Sequence, residues 1–216
     1  MSVKLSVTNK LDGIKSWSLQ ARETCPASIG VDGELVDACK GCYATTGKYM
    51  FPTVKALREF NRKDWKRDAW VSDMVQALNN ARFFRWFDSG DMYDLRLAEK
   101  IYEVMQKTPL VSHWLPTRMA KFPKFQGIIA KMQQLQNVVV RFSSDAVDGS
   151  FVHGVHGSTI VPANVNLHGV EVCQAYEHGG KCNGCRKCWD KSVPVIGFVA
   201  HGKKMAKVIR LKAASS

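Results

Sequence analysis

Acid is scarce in this sequence. Nineteen Asp and Glu stand against 31 Lys and Arg, for a formal charge of +12. An apolar leader is missing too, since MSVKLSVTNK is polar and basic, so no secretory signal is expected. No stretch approaches the roughly 20 apolar residues that span a bilayer. These absences favour a soluble, cytoplasmic protein with no membrane partner. There is no internal repeat and no Gly-, Pro- or Ser-rich linker, which points to a single domain over 1–216. Hydrophobic residues make up 45% of the chain, enough for a core and too many for disorder.

The base that is present is uneven. KALREFNRKDWKR is rich in it, and HGKKMAKVIRLK carries five bases and no acid. Such an excess marks a polyanionic partner, most simply nucleic acid or a nucleotide-bearing substrate. The plainer reading is a solvated basic face.

Apolar periodicity alternates between period 2 and period 3.6. Strands are expected in 13–21, 81–87, 110–116, 137–142, 170–175 and 194–202, with a short extra strand in 157–163. Helices are expected in 51–66, 70–80, 93–107 and 122–135, two of them opened by Pro52 and Pro123. A basic tail follows the last strand. Alternation of this kind argues for a parallel sheet covered by helices, either an open doubly wound sheet or a partial barrel. In either, chemistry gathers at the carboxyl ends of the strands. Polar residues recur there: Asp88, Ser89, Gly90 and Asp91; Thr117 and Arg118; Ser143, Ser144 and Asp145; His178; His201.

The seven cysteines are an odd number in a reducing compartment, which argues against disulfides. They divide into three and four. Cys173, Cys182, Cys185 and Cys188 offer four thiolates, enough to close the coordination of zinc or of a [4Fe–4S] cluster, and Gly184 permits a tight turn between them. This segment, about 173–188, is inserted between the last strands. Cys25, Cys39 and Cys42 are one ligand short. Either a histidine such as His113, His153 or His156 completes them, or they hold a [4Fe–4S] cluster with one open iron. His113 sits inside a strand, where a core role is the plainer reading.

The segments CPASIGVDGELVDACKGCYATTGKY, FRWFDSGDMYDLRLAEKI, HWLPTRMAKFPKF, VVVRFSSDAVDG and CQAYEHGGKCNGCRKCWDKSVPVIGFVAHGKKMAKVI cover nearly the whole chain. Together they resemble a family of phage-encoded proteins, which brings no activity of its own. More distantly the chain is similar to radical S-adenosylmethionine (SAM) enzymes. That resemblance implies an α/β fold with a partial (β/α)6-type barrel of parallel strands. It implies a [4Fe–4S] cluster on Cys25, Cys39 and Cys42, and SAM held near Ser89, Gly90, Asp91, Arg118, Ser143 and Asp145. It also implies an electron donor and reductive cleavage of SAM to a 5′-deoxyadenosyl radical. The four-Cys set would then be an auxiliary [4Fe–4S] cluster or a structural zinc. A phage origin makes the location the host cytoplasm, and with the positive charge it suggests a nucleotide or nucleic-acid substrate. Three details depart from the superfamily pattern: the first cysteine spacing is thirteen residues, Gly41 precedes the last cysteine, and Asp91 stands in place of a glutamate.

The rival reading is a non-enzymatic zinc protein that binds nucleic acid, with Trp65, Trp70, Trp86 and Trp189 as base-stacking candidates, although at helical or strand spacing such residues are more often core. A further alternative is an iron–sulfur carrier that does not use SAM.

Overall fold

The computed structural model describes residues 2–162 and 167–214. Its strands are β1 (Ser6–Thr8), β2 (Ile14–Trp17), β3 (Phe83–Trp86), β4 (Ser112–Thr117), β5 (Val138–Ser143), β6 (Gly157–Val161), β7 (Glu171–Val172) and β8 (Val195–Val199). Its helices are α1 (Asp37–Lys40), α2 (Pro52–Asp64), α3 (Trp70–Leu78), α4 (Leu95–Lys107), α5 (Pro123–Gln134) and α6 (Lys203–Ala213). All eight strands join one sheet in the order β1-β2-β3-β4-β5-β6-β8-β7. Only β1 runs antiparallel to its neighbour; the remaining pairs are parallel. From β2 to β6 consecutive strands are neighbours, without the order reversal of a doubly wound sheet.

Two expectations change. The polar N-terminus forms β1, because Asp12 and Gly13 both take left-handed backbone and turn the chain back onto β2. The basic tail is a helix, α6, whose Met205 packs beside Ala38 and Val147. The strand expected in 157–163 is present as β6; residues 163–166 lie outside the described residues.

Helices α3, α4 and α5 cover one face of the sheet. Strand side chains alternate between faces, so adjacent residues enter different clusters. Trp17, Phe84, Trp86, Leu115, Val138 and Val140 share a core with α3, α4 and α5. Phe83, Trp114 and Phe198 turn the other way, onto Leu11 and Trp189. The second face is covered by the segment between β7 and β8 that carries the four cysteines and, at Ile160, by α6. Trp65, Trp70, Trp86 and Trp189 are all buried, so none is a base-stacking platform.

His113 is fully buried on the helical side. Its Nδ1 accepts from Trp86 Nε1 at 3.2 Å. Thr108 spends its own proton on Val104 O, so His113 Nε2 must donate to Thr108 Oγ1 at 2.9 Å. Both ring nitrogens are occupied, which removes His113 as a metal ligand. Burial pushes its pKa down to about 3. The unfolded chain therefore binds a proton that the fold refuses. The stability this neutral ring contributes is full above the unfolded value near pH 6.5 and is lost as pH falls toward 3, at about 1.4 kcal/mol per pH unit. His113→Gln keeps a donor and an acceptor but cannot titrate. Urea midpoints measured from pH 7 to pH 4 should fall less steeply for this variant than for the parent; parallel curves would remove His113 as the cause.

Candidate functional site

Cys25, Cys39 and Cys42 come together beyond the carboxyl end of β2. Cys25 opens the turn Pro26–Ser28, Cys39 lies in α1, and Cys42 opens the turn Tyr43–Thr45. Helix α1 is held by a hydrogen bond from Ala38 N to Asp145 O, 2.9 Å, which ties the loop to the exit of β5. Gly41 explains its own departure from the superfamily pattern. A Cβ there would stand 2.7 Å from Met205 Cε and 2.9 Å from its Cα, so α6 excludes any larger residue. Burial, then the charge of Asp91, pushes the Cys25 thiol up to about 12, and the Cys39 and Cys42 thiols add to the rise. Burial also raises Cys39, against the pull of Arg118. Three neighbouring thiols are a donor set suited to a thiophilic metal or cluster.

Charged residues from three strand ends surround them. Asp91, after β3, is buried and accepts from Thr117 Oγ1 (2.7 Å), Met92 N (2.8 Å) and Arg118 N (2.9 Å). Burial raises its pKa in spite of these donors. Arg118, after β4, donates to Asp145 Oδ1 (3.2 Å) and Ser144 O (2.7 Å). Lys121 bridges Asp145 Oδ2 and, at 3.2 Å, the carbonyl of Ala27 beside Cys25. Asp91, Arg118 and Asp145 are thus gathered around the first cysteine set.

Ser89, Gly90 and Ser143 are engaged differently. Ser89 donates to Leu19 O (2.7 Å) and accepts from Arg58 Nε (3.0 Å), inside the protein. Gly90 has φ +80, and a Cβ there would meet Leu19 Cβ and Thr24 Oγ1 at 2.6 Å. It packs the exit of β3 against the chain leading to Cys25. Ser143 lies 3.5 Å from Ser158, one strand over.

The second set lines a cavity of about 230 Å³ formed by Cys173, Cys182, Cys185 and Cys188 with His178 and Trp189. Burial pushes the Cys188 thiol up to about 12. The N-terminal hairpin pins this segment. Cys182 N donates to Lys10 O (2.8 Å), and Asp12 Oδ2 accepts from Gly184 N (2.9 Å) and Arg186 (2.8 Å). Arg141 on β5 holds its far end through the carbonyls of Lys187, Cys188 and Asp190, each at 2.9 Å. Among the described residues, no group of three or more His, Cys, Asp or Glu stands at the spacing of a bound metal ion. Holding an ion or cluster therefore requires the thiols of either set to draw in.

Between the two sets lies a polar and aromatic cluster that sequence reasoning did not assemble. Asp88 is its hub. Its Oδ2 accepts from Tyr49 at 2.5 Å, its carbonyl from Tyr43 at 2.6 Å, and its Oδ1 pairs with Arg85 at 2.8 Å. Arg85 also lies over Trp114, 4.5 Å from the ring centroid, and its buried Nε has no hydrogen-bond partner in the structure. Tyr43 faces His201, which faces Tyr176, with centroid separations of 6.5 and 4.5 Å. One signal was available: Arg85 and Arg141 are charges inside the apolar runs FFRWF and VVVRF. His156 is taken up by Lys191 O at 2.8 Å, and His153 packs on Phe151.

No helix among the described residues is long and apolar enough to cross a membrane. Residues 3–191 match the family described as gene product 88. No curated protein and no solved structure matches.

Proposed function

This chain belongs to the gene product 88 family, a phage-type family, and we propose that it is an iron–sulfur enzyme of the radical SAM type. The observation that supports this most is the meeting of three thiols with Asp91, Arg118, Lys121 and Asp145 at the carboxyl ends of parallel strands. The sequential strand order from β2 to β6, with α3, α4 and α5 on one face, is compatible with a partial (β/α) barrel, and we take the sheet as one.

Cys25, Cys39 and Cys42 are the residues to hold a [4Fe–4S] cluster. When bound with SAM, that cluster supplies a 5′-deoxyadenosyl radical that takes a hydrogen atom from a substrate. The chain's own part is to bind, orient and exclude water. Arg118 and Lys121 offset negative charge beside the thiolates. Asp91 fixes the exit of β4 against that of β3, and Asp145 fixes α1. Arg118 and Asp145 are the polar groups best placed to meet SAM. Ser89 and Gly90 serve by holding the turn, with their side-chain positions already filled. The second set holds an auxiliary [4Fe–4S] cluster or a structural zinc. An electron donor is required, and the setting is the host cytoplasm.

The test is iron, sulfide and zinc per chain on protein purified without oxygen. The expected result is about eight irons, or about four with one zinc, followed by 5′-deoxyadenosine on addition of SAM and dithionite. Zinc without iron after attempted reconstitution overturns the reading.

A further inference from the structure

The first cysteine loop is flanked by a surface with a distinct composition. On one side stand exposed rings: Tyr43 keeps 43% of its surface, Tyr176 38% and Phe51 55%. His201, also exposed, lies between Tyr43 and Tyr176, turned 26° from the plane of the first and 46° from that of the second. The Tyr43 hydroxyl donates to Asp88 O at 2.6 Å, which holds the exposed ring in place.

On the other side is a cavity of about 540 Å³, lined by Arg22, Thr45, Met50, Lys55, Glu59 and Lys204, with Glu23 also on its wall. Its size suits a nucleotide unit. The two sides are one surface, because Lys204 follows His201 by three residues and donates to Thr45 Oγ1 at 2.9 Å. Thr45 in turn lies three residues beyond Cys42. Lys203, Lys207 and Arg210 extend the positive charge along the exposed side of α6.

Several bases elsewhere are neutralised by acids. Arg62 and Lys63 on α2 neutralise Glu59, and Lys107 is paired with Glu103. Among the described residues, Arg22, Lys48, Lys55, Lys203, Lys204, Lys207 and Arg210 form no ion pair with a carboxylate (pairs formed elsewhere include Arg96 with Asp94 and Lys121 with Asp145). These seven cations are therefore available to a partner here.

We infer that this surface binds single-stranded nucleic acid, with bases on the Tyr43–His201–Tyr176 wall and phosphates on Arg22, Lys55 and Lys204. Exposed aromatic faces interleaved with unneutralised cations suit splayed bases on a flexible backbone. A duplex hides its base faces and would use the cations alone. As the substrate class of the proposed radical site the inference rests on that reading, but the binding itself does not. A strand on this surface passes directly over the turn that carries Cys42.

The experiment is fluorescence anisotropy of the full chain with labelled oligothymidylate and oligouridylate 12-mers and a mixed-sequence duplex, at several salt concentrations. Iron is assayed on the same samples, so loss of the cluster and loss of binding are read separately. The single strands should bind tighter than the duplex, and the tighter of the two identifies DNA or RNA. Lys55→Glu with Lys204→Glu should weaken binding at least about tenfold and reduce the salt slope. Tyr176→Ala should weaken it roughly fivefold or more, while Tyr176→Phe, which keeps the ring, should not. Lys124→Glu with Lys131→Glu, an equal charge change on α5, should alter affinity less than about twofold. No binding at low salt, equal binding of the duplex, or an equal loss in the α5 double variant would each overturn the inference. Circular dichroism confirms that each variant is folded, and Lys203→Glu with Lys207→Glu replaces the first pair if it is not.

Discussion

Cys42→Ala is expected to remove about four irons per chain and to reduce 5′-deoxyadenosine to background, while leaving the metal of the second set in place. Cys42 is the last thiol of the three-thiol set and lies at the mouth of the Tyr43–Thr45 turn. Three thiolates are the minimum for a cluster with one open iron, so two do not suffice. Cys185→Ala should do the reverse. Cys185 is exposed in the segment between β7 and β8, and its loss should cost the second metal without abolishing SAM cleavage. The pair of variants separates two sites from one. Anaerobic metal analysis with product chromatography reads both outcomes. If either variant emptied both sets together, the assignment of independent sites would be wrong.

The largest stability effect is expected at Arg141. Its guanidinium is fully buried and faces carbonyls rather than a carboxylate: Cys188, Lys187 and Asp190 at 2.9 Å, Val193 at 3.0 Å, Pro194 at 3.2 Å and Gly157 at 3.4 Å. Burial lowers its pKa, offset in part by Cys188 and Asp190. Arg141→Leu leaves several buried carbonyls without a donor, each worth about 1–3 kcal/mol and not additive. A total loss of at least about 4 kcal/mol is expected, in line with breaking a buried charged network. Arg141→Lys should fall between, with three donors in place of five. Because the carbonyls belong to the four-Cys segment, the Leu variant should also lose metal there before it loses the first set. Denaturant midpoints and metal content check this. A Leu variant as stable as the parent would show that the carbonyls are satisfied without Arg141.

The parallel sheet and the four long helices were legible because their signals are local. Period-2 runs such as VVVRF and period-3.6 runs such as LRLAEKIYEVM carry their own pattern. The hairpin of β1 and β2 was missed although Asp12–Gly13 is a turn signal, because a three-residue edge strand has almost no period to read. Helix α6 was missed because its base-rich composition dominated the reading, while its apolar side is carried by Met205, Val208 and Ile209.

By itself the sequence determined which chemistry was available: three thiols apart from four, excess base, and acids placed after strands. These are matters of composition and spacing, which folding does not alter. Only the tertiary structure decided what each residue is free to do. Ser89 and Gly90 are consumed by packing, and His113 by two hydrogen bonds. Tyr43, His201 and Tyr176, far apart in the chain, meet between the two cysteine sets. The second face of the sheet is closed by a cysteine-bearing loop, because Arg141, Trp114 and Phe198 point that way and require a partner. Such contacts join residues from 25 to 158 positions apart. No local period encodes them; they follow from the order in which the strands pair and the face that each pleat presents.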